Sequence, residues 1–399
     1  MKGRIAALVL SVAFTGAAFA DDNNPLHASV STLITTPLAI EGLTNDDQGN
    51  LYAPGRAATA ADPCPIYRTP IENPALTIVG QVPAGTGAAC SPSGLQFGPD
   101  GFLYVTQTDR IYRLKPDATT KPTAELFATG VPGTNGLAFD WNGNLWTGDG
   151  TTGQGRVWRI SPDGKTVTEM FRIPSMVNDV PTPAGAGGVV AGTGVGRDIR
   201  SVPPAGVNVT ASTRNGTATA LGSQALVANG LQFYNHRLYI VDTARGAVWR
   251  VKVNQDSSVT PHVGCDVTYT ANTLCMDHVA VAHPLIEGAD GFVFDEAGGL
   301  WIDANERNAL VYIYNNGNVV EVFRNPINPT TKLRNEGPLE TPTSPVLVDH
   351  KLCTANSDGN RRDNFPSTAG EIGGAGQPKG KISCLDQRVN VPGLKMPGN

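Results

Sequence analysis

The sequence predicts an all-β protein, a six-bladed β-propeller with a central metal-binding channel. Three observations carry that expectation: a recurring strand–turn–strand phrase, a composition rich in turn residues, and no amphipathic helical stretch between the copies. The phrase is a small polar residue, Gly and an apolar residue, then a Gly/Asp/Asn turn, then an aromatic-rich strand, which is the chemistry of a β-hairpin. It begins at Glu41-Gly42-Leu43, Ser93-Gly94-Leu95, Asn135-Gly136-Leu137, Asn229-Gly230-Leu231, Asp290-Gly291-Phe292 and, in degenerate form, Ser344-Pro345-Val346. A third strand often follows, as in Arg110-Ile111-Tyr112-Arg113-Leu114 and Ala247-Val248-Trp249-Arg250-Val251. One such sheet cannot bury both faces alone, whereas sheets packed around an axis can.

The copies are spaced 52, 42, 94, 61 and 54 residues apart. Four of these spacings are near a propeller blade of roughly 40–50 residues. The gap of 94 holds either a seventh blade or an insertion. Residues 174–222, rich in Gly, Pro, Thr and Ala with no hairpin phrase, favour an insertion over the channel mouth after a strand at 166–173. The segment 30–36 precedes the first copy and is expected to complete the last blade, removing an exposed sheet edge.

The chain has 399 residues, 46 Gly and 30 Pro, with 40% hydrophobic but only 16% charged residues, which suits tight-turned β-structure. Its net charge is −5, and no Lys/Arg run offers a footprint for nucleic acid or an anionic membrane, so a small-molecule partner is expected. Lys2 and Arg4, an apolar stretch at 5–14 and Ala18-Phe19-Ala20 before Asp21 read as a cleavable export signal. The expected organisation is a leader at 1–20, cut at Ala20/Asp21, and one propeller domain over 21–399, periplasmic or secreted. Six cysteines fit that compartment. Their clustering suggests Cys64–Cys90, Cys265–Cys275 and Cys353–Cys384, out of fifteen possible connectivities.

The innermost strand of each blade runs along the channel, so the residue before each repeat glycine projects near its mouth. Round the ring these are Glu41, Ser93, Asn135, Asn229, Asp290 and Ser344, all oxygen-bearing. Asn or Asp before Gly is also ordinary turn chemistry, but a turn needs no Glu at position 41. Two acids and two amides with no thiol or imidazole suit a hard cation such as Ca²⁺, which takes 6–8 oxygen ligands, better than Zn²⁺. Glu41, Asn135, Asn229 and Asp290 are the expected metal ligands, with Ser93 and Ser344 spectators.

These phrases resemble the SMP-30/gluconolactonase/luciferin-regenerating-enzyme family from about position 35 to 355. The resemblance implies a six-bladed propeller with a catalytic Ca²⁺ or other divalent metal (Zn²⁺, Mn²⁺ or Mg²⁺) on a Glu, one or two Asn and an Asp. It implies hydrolysis of a lactone or related ester. The chain departs from the sugar lactonases in its 174–222 segment, its cysteine-bearing tail and its lack of Arg-rich contacts near Ser93. On this reading the metal polarises a carbonyl and Asp290 acts as base or nucleophile. Two alternatives are a metal-independent lyase or cyclase resembling strictosidine synthase and a non-catalytic binding propeller.

Lesser candidates are His278 and His283 as proton shuttles, and Asn178-Asp179 and Arg197-Asp198 as substrate contacts. Asp149, Asp242 and Asp303, each after a second strand, read as structural, and Trp146, Trp158, Trp249 and Trp301 as blade packing. Sequons stand at Asn208 and Asn215.

Overall fold

The computed structural model describes residues 28–85, 87–175, 212–214, 217–219, 226–267, 269–327, 329–330, 334, 336–357, 379–386 and 389. Six four-stranded antiparallel sheets stand as blades around one axis. Blade I is β2 (Thr44–Asn45), β3 (Asn50–Pro54), β4 (Cys64–Pro70) and β5 (Thr77–Val82); blade II is β6 (Pro92–Phe97), β7 (Leu103–Gln107), β8 (Arg110–Leu114) and β9 (Glu125–Thr129). Blade III is β10 (Thr134–Phe139), β11 (Leu145–Asp149), β12 (Arg156–Ile160) and β13 (Val167–Arg172). A separate hairpin, β14 (Ser212–Arg214) with β15 (Thr217–Thr219), precedes blade IV. Blade IV is β16 (Leu231–Tyr234), β17 (Arg237–Asp242), β18 (Ala247–Lys252) and β19 (Val279–Ala282); blade V is β20 (Ala289–Phe294), β21 (Leu300–Ala304), β22 (Ala309–Ile313) and β23 (Val319–Arg324).

Blade VI joins both ends of the chain. Its inner strands are β24 (Pro342–Val348), β25 (Lys351–Asn356) and β26 (Gly380–Leu385), and its outer strand is β1 (Val30–Thr36), paired from Val30↔Leu385 to Thr36↔Gly380. The N-terminal strand closes the ring as expected. No seventh four-stranded sheet occurs among the described residues. The expected leader at 1–20, most of 174–222, Asn178-Asp179, Arg197-Asp198 and the sequon asparagines lie outside them. The outer strands β5 and β9 were not legible as strands: Glu125–Thr129 alternates poorly and is mostly exposed. Only its pairing with β8 makes it a strand.

The repeat phrase has a hydrogen-bonding logic. An Asp at the turn between first and second strands caps the turn and accepts from the aromatic head of the second strand. Asp140 takes the Asn142 and Asn144 amide N–H groups and Trp146 Nε1 at 2.9–3.0 Å. Asp46 does the same for Asn50 N and the Tyr52 hydroxyl, both at 2.9 Å, and Asp100 takes the Tyr104 hydroxyl at 2.8 Å. The turn glycine beside each, such as Gly143 with φ 76°, supplies the left-handed backbone that Cβ-bearing residues avoid. The three anchored rings then meet a Phe of the next blade's inner strand edge-on: Tyr52–Phe97, Tyr104–Phe139 and Trp146–Phe233 have centroids 5.0–5.8 Å apart, and Tyr239–Phe294 makes the same contact without an Asp anchor. Intra-blade turns and inter-blade packing are thus one network.

The three expected disulfides are present: Cys64–Cys90, Cys265–Cys275 and Cys353–Cys384. Cys353–Cys384 crosses β25 and β26, beside the strand that closes the ring. It spans 31 residues against 10 for Cys265–Cys275, so it restricts the unfolded chain more. Replacing both Cys353 and Cys384 by Ser should cost about 3–4 kcal/mol in urea unfolding, about 1 kcal/mol more than the same change at Cys265 and Cys275. Equal losses would show that the closure carries no special weight.

Candidate functional site

In five of the six blades the inner strands approach their neighbours so closely that a side chain is excluded one residue after the ring position. A Cβ placed on Gly42, Gly94, Gly136, Gly230 or Gly291 would lie within 2.9 Å of the carbonyl oxygen of Ser93, Asn135, Asn229, Asp290 or Thr343 in the next blade. None of these five glycines has positive φ, so a close approach and not a turn explains them. The same contacts correct the sixth ring position. Thr343, not Ser344, stands opposite Gly291, and the register agrees: Pro345 pairs with Thr354 as Phe292 pairs with Ile302. Ser344 stands where the other five blades have the repeat glycine, so the degenerate phrase reads one residue late, while the bulge beside it is the one that blades II, III and V also carry. Thr343 Oγ1 donates to the Glu41 carbonyl at 2.5 Å and locks blade VI to blade I.

Glu41, Asn135, Asn229 and Asp290 are all buried, between 1% and 8% exposed. Asn135 Nδ2 donates to Glu41 Oε1 at 2.9 Å. A Cβ on Gly150 would meet both Asn135 Cβ, at 2.6 Å, and Asn229 Oδ1, at 2.8 Å, so the two amides converge over that glycine. Asn229 Nδ2 donates to Thr243 Oγ1 at 3.0 Å, while its Oδ1 is buried without a hydrogen-bond partner. Asn305 Nδ2 donates to Asp290 Oδ2 at 2.7 Å and orients that carboxylate. Asp290 joins the group through the backbone, its carbonyl accepting from Gly230 N at 2.9 Å.

An orphaned, fully buried amide oxygen among oxygen donors fits a hard cation, since an unpaired buried acceptor is costly. The other feature of the donor set is that Glu41 also carries the Arg56 guanidinium. Arg56 follows blade I's second strand and gave no sequence signal, because its distance from Glu41 is set by the hairpin and not by a motif. Thr243, Asn305 and Gln107, whose buried Oε1 is unpartnered, were likewise not singled out.

The other candidates separate cleanly. Asp149 is bound by Arg156 and Thr152 N, both at 2.9 Å, and Asp242 by Arg245 at 2.8 Å and Trp249 Nε1 at 3.1 Å; both brace blades. His278 sits at the outer edge of blade IV, with Nδ1 against the Arg250 carbonyl at 3.0 Å and Nε2 accepting from His262 N. His283 accepts from Leu285 N at 3.1 Å as a cap. Burial, with the Arg307 charge, lowers its pKa. Neither histidine is hydrogen-bonded to the ring residues.

Asp303 breaks the pattern of its counterparts. It is fully buried, Thr354 Oγ1 donates to its Oδ2, and Oδ1 has no partner. Burial pushes its carboxyl well above the carboxylate range, the Thr354 hydrogen bond opposes this, and the nearby Asp290 charge adds to it. A carboxyl raised in the folded state contributes stability that is full below its unfolded value near pH ~4 and is lost as pH rises toward the folded value. Asp303→Asn should therefore flatten the fall in melting temperature as pH rises above the unfolded value near ~4, leaving stability at low pH nearly unchanged. A parallel pH profile in wild type and variant would contradict this.

No protein-family model matches the chain, and no curated protein sequence does. Solved structures resemble it. A luciferin-regenerating enzyme superposes with TM-score 0.53 at 14% identity, covering 92% of this chain and 98% of that one. Regucalcin from Agrobacterium tumefaciens, described as a calcium-binding protein, gives 0.51 at 15%, over 93% and 97%. The PQQ-bound aldose sugar dehydrogenase of Streptomyces coelicolor gives 0.50 at 16%, over 91% and 99%. The chain therefore shares the propeller fold of luciferin-regenerating enzyme and regucalcin over nearly its whole length.

Proposed function

We propose that the protein is an exported, divalent-metal-dependent hydrolase of a lactone or related ester. Glu41, Asn135, Asn229 and Asp290 would hold the cation, Ca²⁺ by their all-oxygen chemistry. The observation that carries this reading is the buried, unpartnered Asn229 Oδ1 beside Asn135, whose own amide reaches Glu41 across the ring, with Asp290 on the adjacent blade V. The calcium-binding description of regucalcin, which has the same fold, supports it. Fold alone does not decide, because an aldose sugar dehydrogenase shares the architecture. Three disulfides agree with an oxidising compartment.

When bound, the cation would supply Lewis-acid polarisation of the substrate carbonyl. Asp290, held in orientation by Asn305, accepts the proton of the attacking water. Glu41 supplies anchoring charge, and the two asparagines fix the ring without adding charge. A metal-independent reading draws on Arg56 and Asn135, which satisfy Glu41 without a cation. It leaves Asn229 Oδ1 unexplained.

Chelation with EDTA should abolish hydrolysis of aryl esters and lactones, and Ca²⁺ should restore it; turnover indifferent to both would remove the metal. Asp290→Asn should lower kcat by about 10²–10⁴-fold, the range for losing a general base, while calcium binding stays measurable by calorimetry. Full activity in that variant would end the assignment. Arg56→Met removes a cation competing for Glu41 and should tighten Ca²⁺ binding by about tenfold at low salt, less at high salt. Unchanged affinity would place the cation away from Glu41.

A further inference from the structure

On the connection from β18 to β19 in blade IV, a disulfide faces solvent with a histidine and an acid aligned on it. Five of the six half-cystines, Cys64, Cys90, Cys275, Cys353 and Cys384, are buried at 0–5% exposure. Cys265 is exposed. Val267, at 96% exposure, and Met276, at 41%, keep the face around it open. Strand register assembles the cluster. The bridge Val263↔Leu274, with Cys275 N donating to the His262 carbonyl at 3.0 Å, sets His262 across from Cys275, and the 3₁₀ turn Met276–His278 follows at once. His262 Nε2 then lies 3.4 Å from Cys265 Sγ, and a His262 ring nitrogen and both sulfurs lie within 4.8 Å of one another.

On the other side of the imidazole, Nδ1 meets Asp277 Oδ2 at 2.9 Å. His278 stands close by, its Nε2 accepting from His262 N at 2.9 Å, and Asp266 follows Cys265 in the chain. The surroundings of the imidazole are thus two acids and a second histidine. The His262 hydrogen bond holds the Asp277 carboxyl below the usual carboxylate range, with slight burial opposing it. As a carboxylate Asp277 only accepts, so Nδ1 carries the proton and the neutral imidazole turns its Nε2 lone pair to the disulfide.

We propose that Cys265–Cys275 is a thiol–disulfide exchange site for a dithiol, with His262 as its acid–base residue and Asp277 positioning that histidine. The proposal is independent of the hydrolase reading. His262 Nε2 takes the proton of the incoming thiol, whose sulfur attacks the exposed Cys265 Sγ. The Cys265–Cys275 bond breaks, its electron pair goes to Cys275 Sγ, and His262 returns the proton there. The second thiol of the same dithiol passes its proton to His262 and attacks its own partner sulfur in the mixed disulfide. Cys265 is displaced and takes that proton. The dithiol leaves as a disulfide, oxidised by two electrons, and the protein keeps two thiols. Arg172 of blade III pairs with Thr273 inside the cross-linked loop, so exchange loosens a join between blades III and IV and leaves the closing Cys353–Cys384 bond alone.

The test uses the full oxidised chain, dithiothreitol as the dithiol, and N-ethylmaleimide trapping with peptide mass mapping. Without denaturant, Cys265 and Cys275 should be trapped at least about tenfold faster than the other four cysteines. His262→Gln, at an exposed position, should slow opening by about tenfold at pH ~7, less than the 10²–10⁴-fold typical of a general base. Asp277→Ala should slow it in the same direction. Opening of His262→Gln should also climb about tenfold per pH unit between about 7 and 8, since only preformed thiolate then reacts, while the wild-type rate rises less steeply. Simultaneous opening of all three disulfides overturns the exchange site. A His262→Gln rate equal to wild type overturns it as well, and so does a slowed variant with the wild-type pH slope, which marks a merely structural histidine.

Discussion

The close approach of inner strands at the axis is the constraint on which the molecule depends. A Cβ at any of five glycines would collide with a carbonyl of the next blade. That approach lets threonines stitch blades across the gap: Thr106 Oγ1 reaches the Asn135 carbonyl at 3.1 Å and Thr243 Oγ1 the Ala289 carbonyl at 2.6 Å. It also fixes where the preceding residue points. The polar ring is a by-product of tight closure, since each of these side chains is borne on a backbone packed against the next blade. This is the preorganisation that a binding or catalytic constellation needs.

Burying that many polar groups is expensive, and the fold compensates unevenly. Asp149 and Asp242 receive arginines, and Asp140 and Asp295 receive turn amides and aromatic heads. Asn229 and Asp303 are left with an unpaired oxygen each. Charged and polar groups buried without full compensation cluster at functional sites more often than in scaffolding. Asn229 lies beside Asn135 and Asp303 feels the charge of Asp290, which sets both apart from the fully partnered acids elsewhere in the blades.

Blade number, the closing role of Val30–Thr36, the disulfide pairs and the ring positions in blades I to V were legible in the sequence. Glycine, turn acids and aromatic residues recur for local reasons that survive in linear order: close approach, turn capping and edge-on ring contacts. The outer strands of blades I and II were not legible, because a half-exposed strand needs no apolar alternation and is defined by its partner. Thr343 in place of Ser344 was decided by the contact with Gly291, because Ser344 fills the place that glycine marks in the other five copies. Arg56, Asn305 and Asp303 met the ring only through hairpins and neighbouring blades, so their partners lie at distances set by packing and not by spacing. Local chemistry wrote the repeat, and the closing of the ring decided which of its polar atoms were left without partners.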